Sequence, residues 1–256
     1  MSGVLECNIS SWVEEADSQA NKAFREAVHT TLLAISSDAK LKASMILKGG
    51  ILMAIRYKSH RYTRDIDFST EKNLGDDISS ESVRESLDDS LVYMVEMLDY
   101  DLDCRVQTCK IQPRNPNSKY PSIKVTIGYA YKGTPKHSRL ALLKSPDTIS
   151  IDYSLNEAVP NVEAIKLDTE GGILVYSLTD IIAEKYRSLL QQIPRNRTRR
   201  QDVYDLNILI SNIDTYDNIE KQKILDSLMA KCKAREITPS SASFDTPEIK
   251  ERAKQE

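Results

Sequence analysis

The chain has 256 residues, 40% hydrophobic and 29% charged, which supplies enough apolar material for a sizeable core and excludes wholesale disorder. A formal net charge of −3 excludes a protein coated in positive charge for indiscriminate nucleic-acid binding, because neutralising phosphates requires a large excess of Lys and Arg. No apolar run reaches the ~20 residues needed to span a bilayer, and the N-terminus lacks the basic-then-apolar order of a signal peptide, so a cytoplasmic protein with no membrane partner is expected.

In chain order, Ser10 to about Ala39 reads as helix, with Trp12, Ala16, Ala20, Phe24 and Val28 at helical spacing. Ser44 to Leu47 gives a short strand, Gly49-Gly50 a break and Ile51 to Tyr57 a short helix. Thr63 to Ser69 is a strand whose period of two puts Ile66 and Phe68 on one face and Asp65 and Asp67 on the other. Asp77 to Leu98 forms a second long helix, since Val83, Leu87, Leu91, Met94 and Leu98 make a stripe at spacings of three and four. Four β-prone runs follow, Cys104 to Gln112, Ser122 to Tyr131, Thr148 to Ser154 and Glu163 to Leu167, separated by Pro, Gly and Asn clusters. After Gly171-Gly172 the pattern is helical: Leu178 to Gln192, Arg199 to Asn212 and Ile219 to Cys232. The reading is an α/β (α+β) chain: a mixed-sheet core over residues 1–170, a helical lobe over 171–236, and a polar, flexible tail over 237–256.

Cys7, Cys104, Cys109 and Cys232 are scattered without a C-x-x-C pair, so they are read as reduced, ordinary cysteines. The isolated His29, His60 and His137 are read as surface or packing residues.

Four groups of residues carry chemistry. Asp65 and Asp67, two apart on a strand, lie on one face at about 7 Å between Cα atoms, a span over which both reach metal ions. Aspartate is depleted in strands and like charges on one face repel unless a cation neutralises them. Gly49-Gly50 at a helix start lets backbone N–H groups approach phosphate oxygens, although a plain tight turn is the common alternative. Asp152, in the strand Thr148-Ile-Ser-Ile-Asp-Tyr-Ser, offers a third carboxylate that would complete a two-metal site and help activate an attacking hydroxyl, or else is a surface aspartate of an edge strand. Lys185 lies on the apolar line of Leu178, Ile181, Ile182 and Leu189, so it needs an anion or a route to water. Asp202 near the next helix start would orient it, and on that reading Lys185→Met costs little stability. Lys185, Arg187, Arg195, Arg197, Arg199 and Arg200 fall in an acid-free run, the candidate nucleic-acid contact.

Leu47-Lys-Gly-Gly-Ile-Leu, Arg61-Tyr-Thr-Arg-Asp-Ile-Asp-Phe68, Glu184-Lys-Tyr-Arg-Ser-Leu and Arg200-Gln-Asp-Val-Tyr-Asp-Leu206 together resemble the AbiEii-type nucleotidyltransferase toxins. That resemblance implies a DNA polymerase-β-like nucleotidyltransferase core, a helical C-terminal lobe and the toxin half of a toxin–antitoxin pair, with a cognate antitoxin as partner. It implies transfer of a nucleoside monophosphate from an NTP, with Mg²⁺ or Mn²⁺, to an acceptor hydroxyl, the expected acceptor being RNA at the 3′ end of tRNA. Gly49 and Gly50 match the glycine motif, Asp65 and Asp67 the metal-binding motif, Lys185 the nucleotide-contacting lysine and Asp202 the aspartate of the final motif, with Asp152 as the third carboxylate. Arg61 and Thr63, in the block that ends in the two aspartates, are assigned to the nucleotide. The chain departs from the family at Ile51, where Thr or Ser commonly follows the glycines. The competing reading is a non-catalytic protein that keeps the fold to bind a nucleotide or a partner.

Overall fold

The computed structural model describes residues 5–59, 63–75, 78–115, 118–167, 171–211 and 215–254. It divides into two compact units, Met1–Glu157 with Glu163–Val175, and Ala158–Val162 with Tyr176–Glu256.

The first unit is built on a mixed sheet of eight strands among the described residues: β1 (Leu5–Cys7), β2 (Ile46–Lys48), β3 (Asp65–Ser69), β4 (Leu102–Gln112), β5 (Ser122–Tyr131), β6 (Thr148–Ser154), β7 (Val162–Leu167) and β8 (Gly171–Tyr176). Their spatial order is β1-β7-β8-β2-β3-β6-β5-β4. β3 runs parallel to β6 and antiparallel to β2, while β5 is antiparallel to both β4 and β6. Leu47, Ile66, Phe68, Ile123, Val125, Ile127, Ile149, Ile151 and Tyr153 are fully buried, and register places those of β3, β5 and β6 on one face. Helices α2 (Gln19–Ser37), α3 (Ala39–Ser44) and α5 (Ser80–Met97) supply the opposing apolar surface, and each Ile or Leu so buried contributes roughly 1.5–3 kcal/mol. Tyr153 and Tyr131 carry their hydroxyls into this layer, donating to Ser44 O at 3.2 Å and Glu26 Oε2 at 2.9 Å.

Three expectations change here. The single N-terminal helix is two, α1 (Ile9–Glu14) and α2. The break comes at Asp17-Ser18, where the Ser18 hydroxyl accepts from Asn21 N and Asp17 binds the Asn21 amide, so side chains cap a new helix instead of continuing the old one. Gly171-Gly172 opens β8, not the helical part. A Cβ on Gly171 would lie 2.7 Å from Ser36 Oγ and 2.9 Å from Leu33 Cδ2, so this glycine lets the strand approach α2. A further helix, α6 (Pro135–Ala141), capped by Thr134, sits between β5 and β6. Helix α4 (Gly49–Tyr57) joins β2 to β3. Cys7, Cys104, Cys109 and Cys232 are all free thiols. Among the described residues no helix is long and apolar enough to cross a membrane.

The second unit contains α7 (Leu178–Leu190), α8 (Arg200–Leu209), α9 (Asn218–Ala234) and α10 (Pro247–Lys254). Ala183, Leu228 and Cys232 form a small apolar centre joined by Tyr186, Leu190, Ile237 and Phe244. Asp180, fully buried, ties α7 to α9 and to the strap 158–162: it accepts from Ser227 Oγ at 2.7 Å and Asn161 Nδ2 at 2.9 Å and pairs with Lys231 Nζ at 3.3 Å. Lys231 also donates to Ala158 O at 2.9 Å and lies 4.2 Å from the Tyr176 ring.

The segment expected to be a flexible tail is docked. Phe244 meets Tyr186 edge to face at 5.3 Å, Ile249 is buried, Gln192 Nε2 donates to Ile249 O at 3.4 Å, and Arg252 binds Gln192 O and Asn196 Oδ1. The polar composition of the segment hid two apolar anchors, Phe244 and Ile249. Ending the chain after Thr246 is therefore expected to lower stability by about 1–3 kcal/mol, from lost apolar burial and hydrogen bonds. Urea unfolding of the shortened and full chains measures this, and equal midpoints would mean that the segment contributes nothing to the unit.

Candidate active site

The polar face of β3 carries Asp65, exposed, and Asp67, half-buried. Pairing with β6 is in register Asp65↔Ser150 and Asp67↔Asp152, so the third carboxylate lies directly beside Asp67, one strand spacing of about 4.8 Å away. Asp152 is on an interior strand, not an edge. The row continues on both sides: Lys48 of β2 is the register partner of Asp67, Lys124 of β5 that of Asp152, and Lys110 of β4 that of Lys124. Lys124 Nζ is 3.6 Å from Asp152 Oδ2.

Gly49 borders this row. Its φ is +72°, and a Cβ there would lie 2.1 Å from Asp67 Oδ2 and 2.8 Å from Asp67 Cγ. Only a residue without a side chain lets the start of α4 touch the carboxylate. Helix α4 has no side-chain cap at Lys48, and the positive end of its dipole therefore faces the Asp67 charge. Gly50 and Ile51 are buried within the first turn, Ile51 completely. In this chain the position after the glycines points into the core, so its lack of a hydroxyl removes nothing from the carboxylate face. The Thr63 hydroxyl donates to Asp65 O at 3.4 Å, just ahead of the first aspartate. Thr63 also lines a cleft of mixed polar and apolar side chains that includes Trp12, Phe24, Arg25, Ile55 and Arg56, apart from the carboxylate row. Arg61 lies outside the described residues.

In the second unit Lys185 is buried and pairs with two carboxylates. Asp205 Oδ2 is at 2.6 Å and Asp202 Oδ1 at 3.2 Å. The nearer and fully buried partner, Asp205, is the one that helical register alone did not single out. It lies within the block Arg200–Leu206, three residues after Asp202 and four before Leu209, and this spacing places both aspartates on the inward side of α8. The expectation that Lys185→Met is nearly free of cost is therefore reversed, because the substitution would strand two carboxylates.

The acid-free basic run is divided in use. Arg187 is buried and bound to Glu184 and Gln191, whereas Arg195, Arg197 and Arg200 are exposed. Partial desolvation, then the neighbouring Arg235, Arg187, Arg199 and Arg197, hold the Arg195 guanidinium below the usual arginine range.

Among the described residues no three Asp, Glu, His or Cys side chains are gathered into a self-sufficient metal cage. Hard oxygen donors in a pair instead suit a small divalent ion that takes one or two carboxylates and completes its shell with water and other oxygen donors. His29 and His137 are engaged elsewhere, with Tyr100 and Asp103.

A family model described as "Nucleotidyl transferase AbiEii toxin, Type IV TA system" matches residues 31–256. Among solved structures, the chain is similar to the nucleotidyltransferase toxin MenT4 of Mycobacterium tuberculosis, at 13% identity over 92% of this chain and 75% of that one, with a TM-score of 0.46. It is also similar to JHP933 of Helicobacter pylori, at 15% identity over 94% and 90% of the two chains, again with a TM-score of 0.46. No curated protein matches.

Two predictions follow from this geometry. Gly49→Ala puts a methyl group onto the Asp67 carboxylate in a left-handed backbone conformation; it is expected to cost about 1–2 kcal/mol in the backbone alone and to cut nucleotide transfer about a hundredfold through displacement of Asp67. Thermal unfolding and a transfer assay on the same preparation measure both, and wild-type turnover would show that Asp67 is not needed where it stands. Lys185→Met is expected to destabilise by about 3–5 kcal/mol, and Asp205→Leu in the same chain to restore part of that, because the buried charge left behind is then removed. A double-mutant cycle by denaturant titration gives the coupling; additive losses would contradict the pairing.

Proposed function

Since the chain belongs to the AbiEii nucleotidyltransferase toxin family, and is thus a nucleotidyltransferase, we propose that Asp65, Asp67 and Asp152 form its reaction centre, transferring a nucleoside monophosphate from an NTP to an acceptor hydroxyl. The observation that supports this reading best is the register pair Asp67↔Asp152, abutted by a glycine with no room for a side chain. In the reaction the acceptor oxygen bonds to the α-phosphorus, the bond from that phosphorus to the bridging oxygen breaks, and pyrophosphate leaves. Asp152 accepts the hydroxyl proton, with Lys124 Nζ 3.6 Å from its carboxylate. Asp65 and Asp67 are the residues that would hold Mg²⁺ or Mn²⁺. When bound, the ion supplies Lewis-acid stabilisation of the charge that develops on the phosphoryl oxygens. The first turn of α4 at Gly49 and Gly50 receives phosphate oxygens on its N–H groups. Thr63, Arg61 and Lys185, oriented by Asp202 and Asp205, are assigned to the nucleotide.

RNA, at the 3′ end of a tRNA, is the acceptor we infer, with the exposed Arg195, Arg197 and Arg200 as backbone contacts. The reaction belongs to the cytoplasm, where NTP and RNA are found together, and the family's toxin–antitoxin setting implies an antitoxin partner. The missing hydroxyl at Ile51 does not favour the non-catalytic alternative, because that side chain is buried in the core.

Asp67→Asn is the direct test. It removes a charge without volume, so transfer should fall by about a hundredfold or more, while the melting temperature stays or rises, because one of two neighbouring like charges is gone. The assay is incorporation of labelled NMP with and without EDTA. Full turnover by the variant, or turnover indifferent to EDTA, would sink the assignment.

A further inference from the structure

We infer that the polar stretch of the β4–β5 face formed by Thr108, Lys110, Gln112, Ser122, Lys124 and Thr126, continuous with the carboxylate row, is a docking surface for the phosphodiester backbone of the RNA acceptor. Only the name of the acceptor rests on the transfer reading above; the surface itself is argued from charge and register.

The first observation is compositional. From Cys104 to Pro146 the chain holds nine of its 35 Lys and Arg (Arg105, Lys110, Arg114, Lys119, Lys124, Lys132, Lys136, Arg139 and Lys144) and none of its 38 acids. A chain of net charge −3 thus carries a local cationic excess on the two strands next to its carboxylates and the helix that follows them. Such an excess favours a polyanion there.

The second is geometric. Register puts Ser122, Lys124 and Thr126 of β5 on the same face as Asp152, with Gln112, Lys110 and Thr108 of β4 beside them. Every side chain in this patch is polar, while Ile123, Val125 and Ile127 between them are fully buried on the other face. Thr108 and Thr126 share a hydrogen bond of 3.1 Å, and Lys110 is exposed. From Asp67 through Asp152 and Lys124 to Lys110 the row spans three strand spacings, about 14 Å. Arg114 and Lys119, both exposed, flank the connection between β4 and β5 at the end of the strands nearest Lys110. A protein partner would need an apolar centre to its footprint, which this patch lacks. A backbone of phosphates and 2′-hydroxyls needs the lysines, threonines and glutamine that are present. Within the region Arg105, Lys124 and Lys136 face Asp103, Asp152 and Asp147, so the test avoids them.

The test is the triple variant Lys110→Gln, Arg114→Gln, Lys119→Gln in the full chain. The probe is a labelled RNA hairpin with a single-stranded 3′ end, titrated from about 50 to 200 mM salt, with NTP binding in Mg²⁺ measured in parallel by calorimetry. The expected result is about a tenfold loss of RNA affinity, a salt slope lower by about 2, and unchanged NTP affinity. The conservative triple Lys110→Arg, Arg114→Lys, Lys119→Arg should keep wild-type RNA affinity, which separates charge from folding. Wild-type RNA affinity and slope in the Gln variant would overturn the surface. Equal binding of polyglutamate, lost in the same variant, would overturn RNA as its occupant. If the wild type binds no NTP but the variant still loses RNA, the transfer reading fails and the surface stands.

Discussion

Asp67 and Asp152 stand side by side on parallel strands inside the sheet, and at about 5 Å in a medium of effective dielectric ~20 two such charges repel by roughly 3 kcal/mol. The arrangement around them answers this cost. Lys48 and Lys124 bracket the pair in register, the latter within 3.6 Å of Asp152. The uncapped start of α4 adds its partial positive charge beside Asp67. The glycine that begins this helix has its conformation set by the need to touch the carboxylate. Two like charges side by side cost stability unless compensation of this kind surrounds them.

The same row shows which parts of the molecule could be seen in the sequence. Alternation in Asp65–Ser69 and Thr148–Ser154 sorts each strand's faces correctly, because a period of two is a local property. Which strands become neighbours is not local. The pairing of Asp67 with Asp152 joins positions 85 residues apart, and the chance that Asp152 lay on an edge could be dismissed only once β5 was seen beyond it. Gly171-Gly172 differs from its reading for a related reason: a glycine pair that marks a boundary before helices and a glycine that lets a strand approach a helix look alike until Ser36 and Leu33 are found against Gly171. Asp205 was inside a recognised block, yet a rule that looks for one partner per lysine stops at Asp202.

Charge behaves likewise. The net value of −3 correctly excludes a uniformly basic surface but says nothing of distribution. Two stretches run against it: the exposed arginines around Arg195, whose guanidinium is pushed down by partial desolvation and then by its neighbours, and the acid-free region spanning β4, β5 and α6. Field strength near a surface depends on charges within about 10 Å at moderate salt, so regional sums govern what binds and the total governs little beyond solubility.

Among the described residues the second unit contains two buried lysines, Lys185 and Lys231, whose similarity is superficial. Lys231 is held by Asp180, and that network reaches irregular backbone, taking the carbonyl of Ala158 and, through Asp180, the amide and side chain of Asn161. It satisfies polar groups that would otherwise be buried without partners, which is a structural task. Lys185 meets only the side chains of Asp202 and Asp205, all three on regular helices whose backbone groups are already paired. A buried ion triad of this kind gives no net stability over apolar residues of the same volume. Folding therefore accounts for Lys231 more fully than for Lys185.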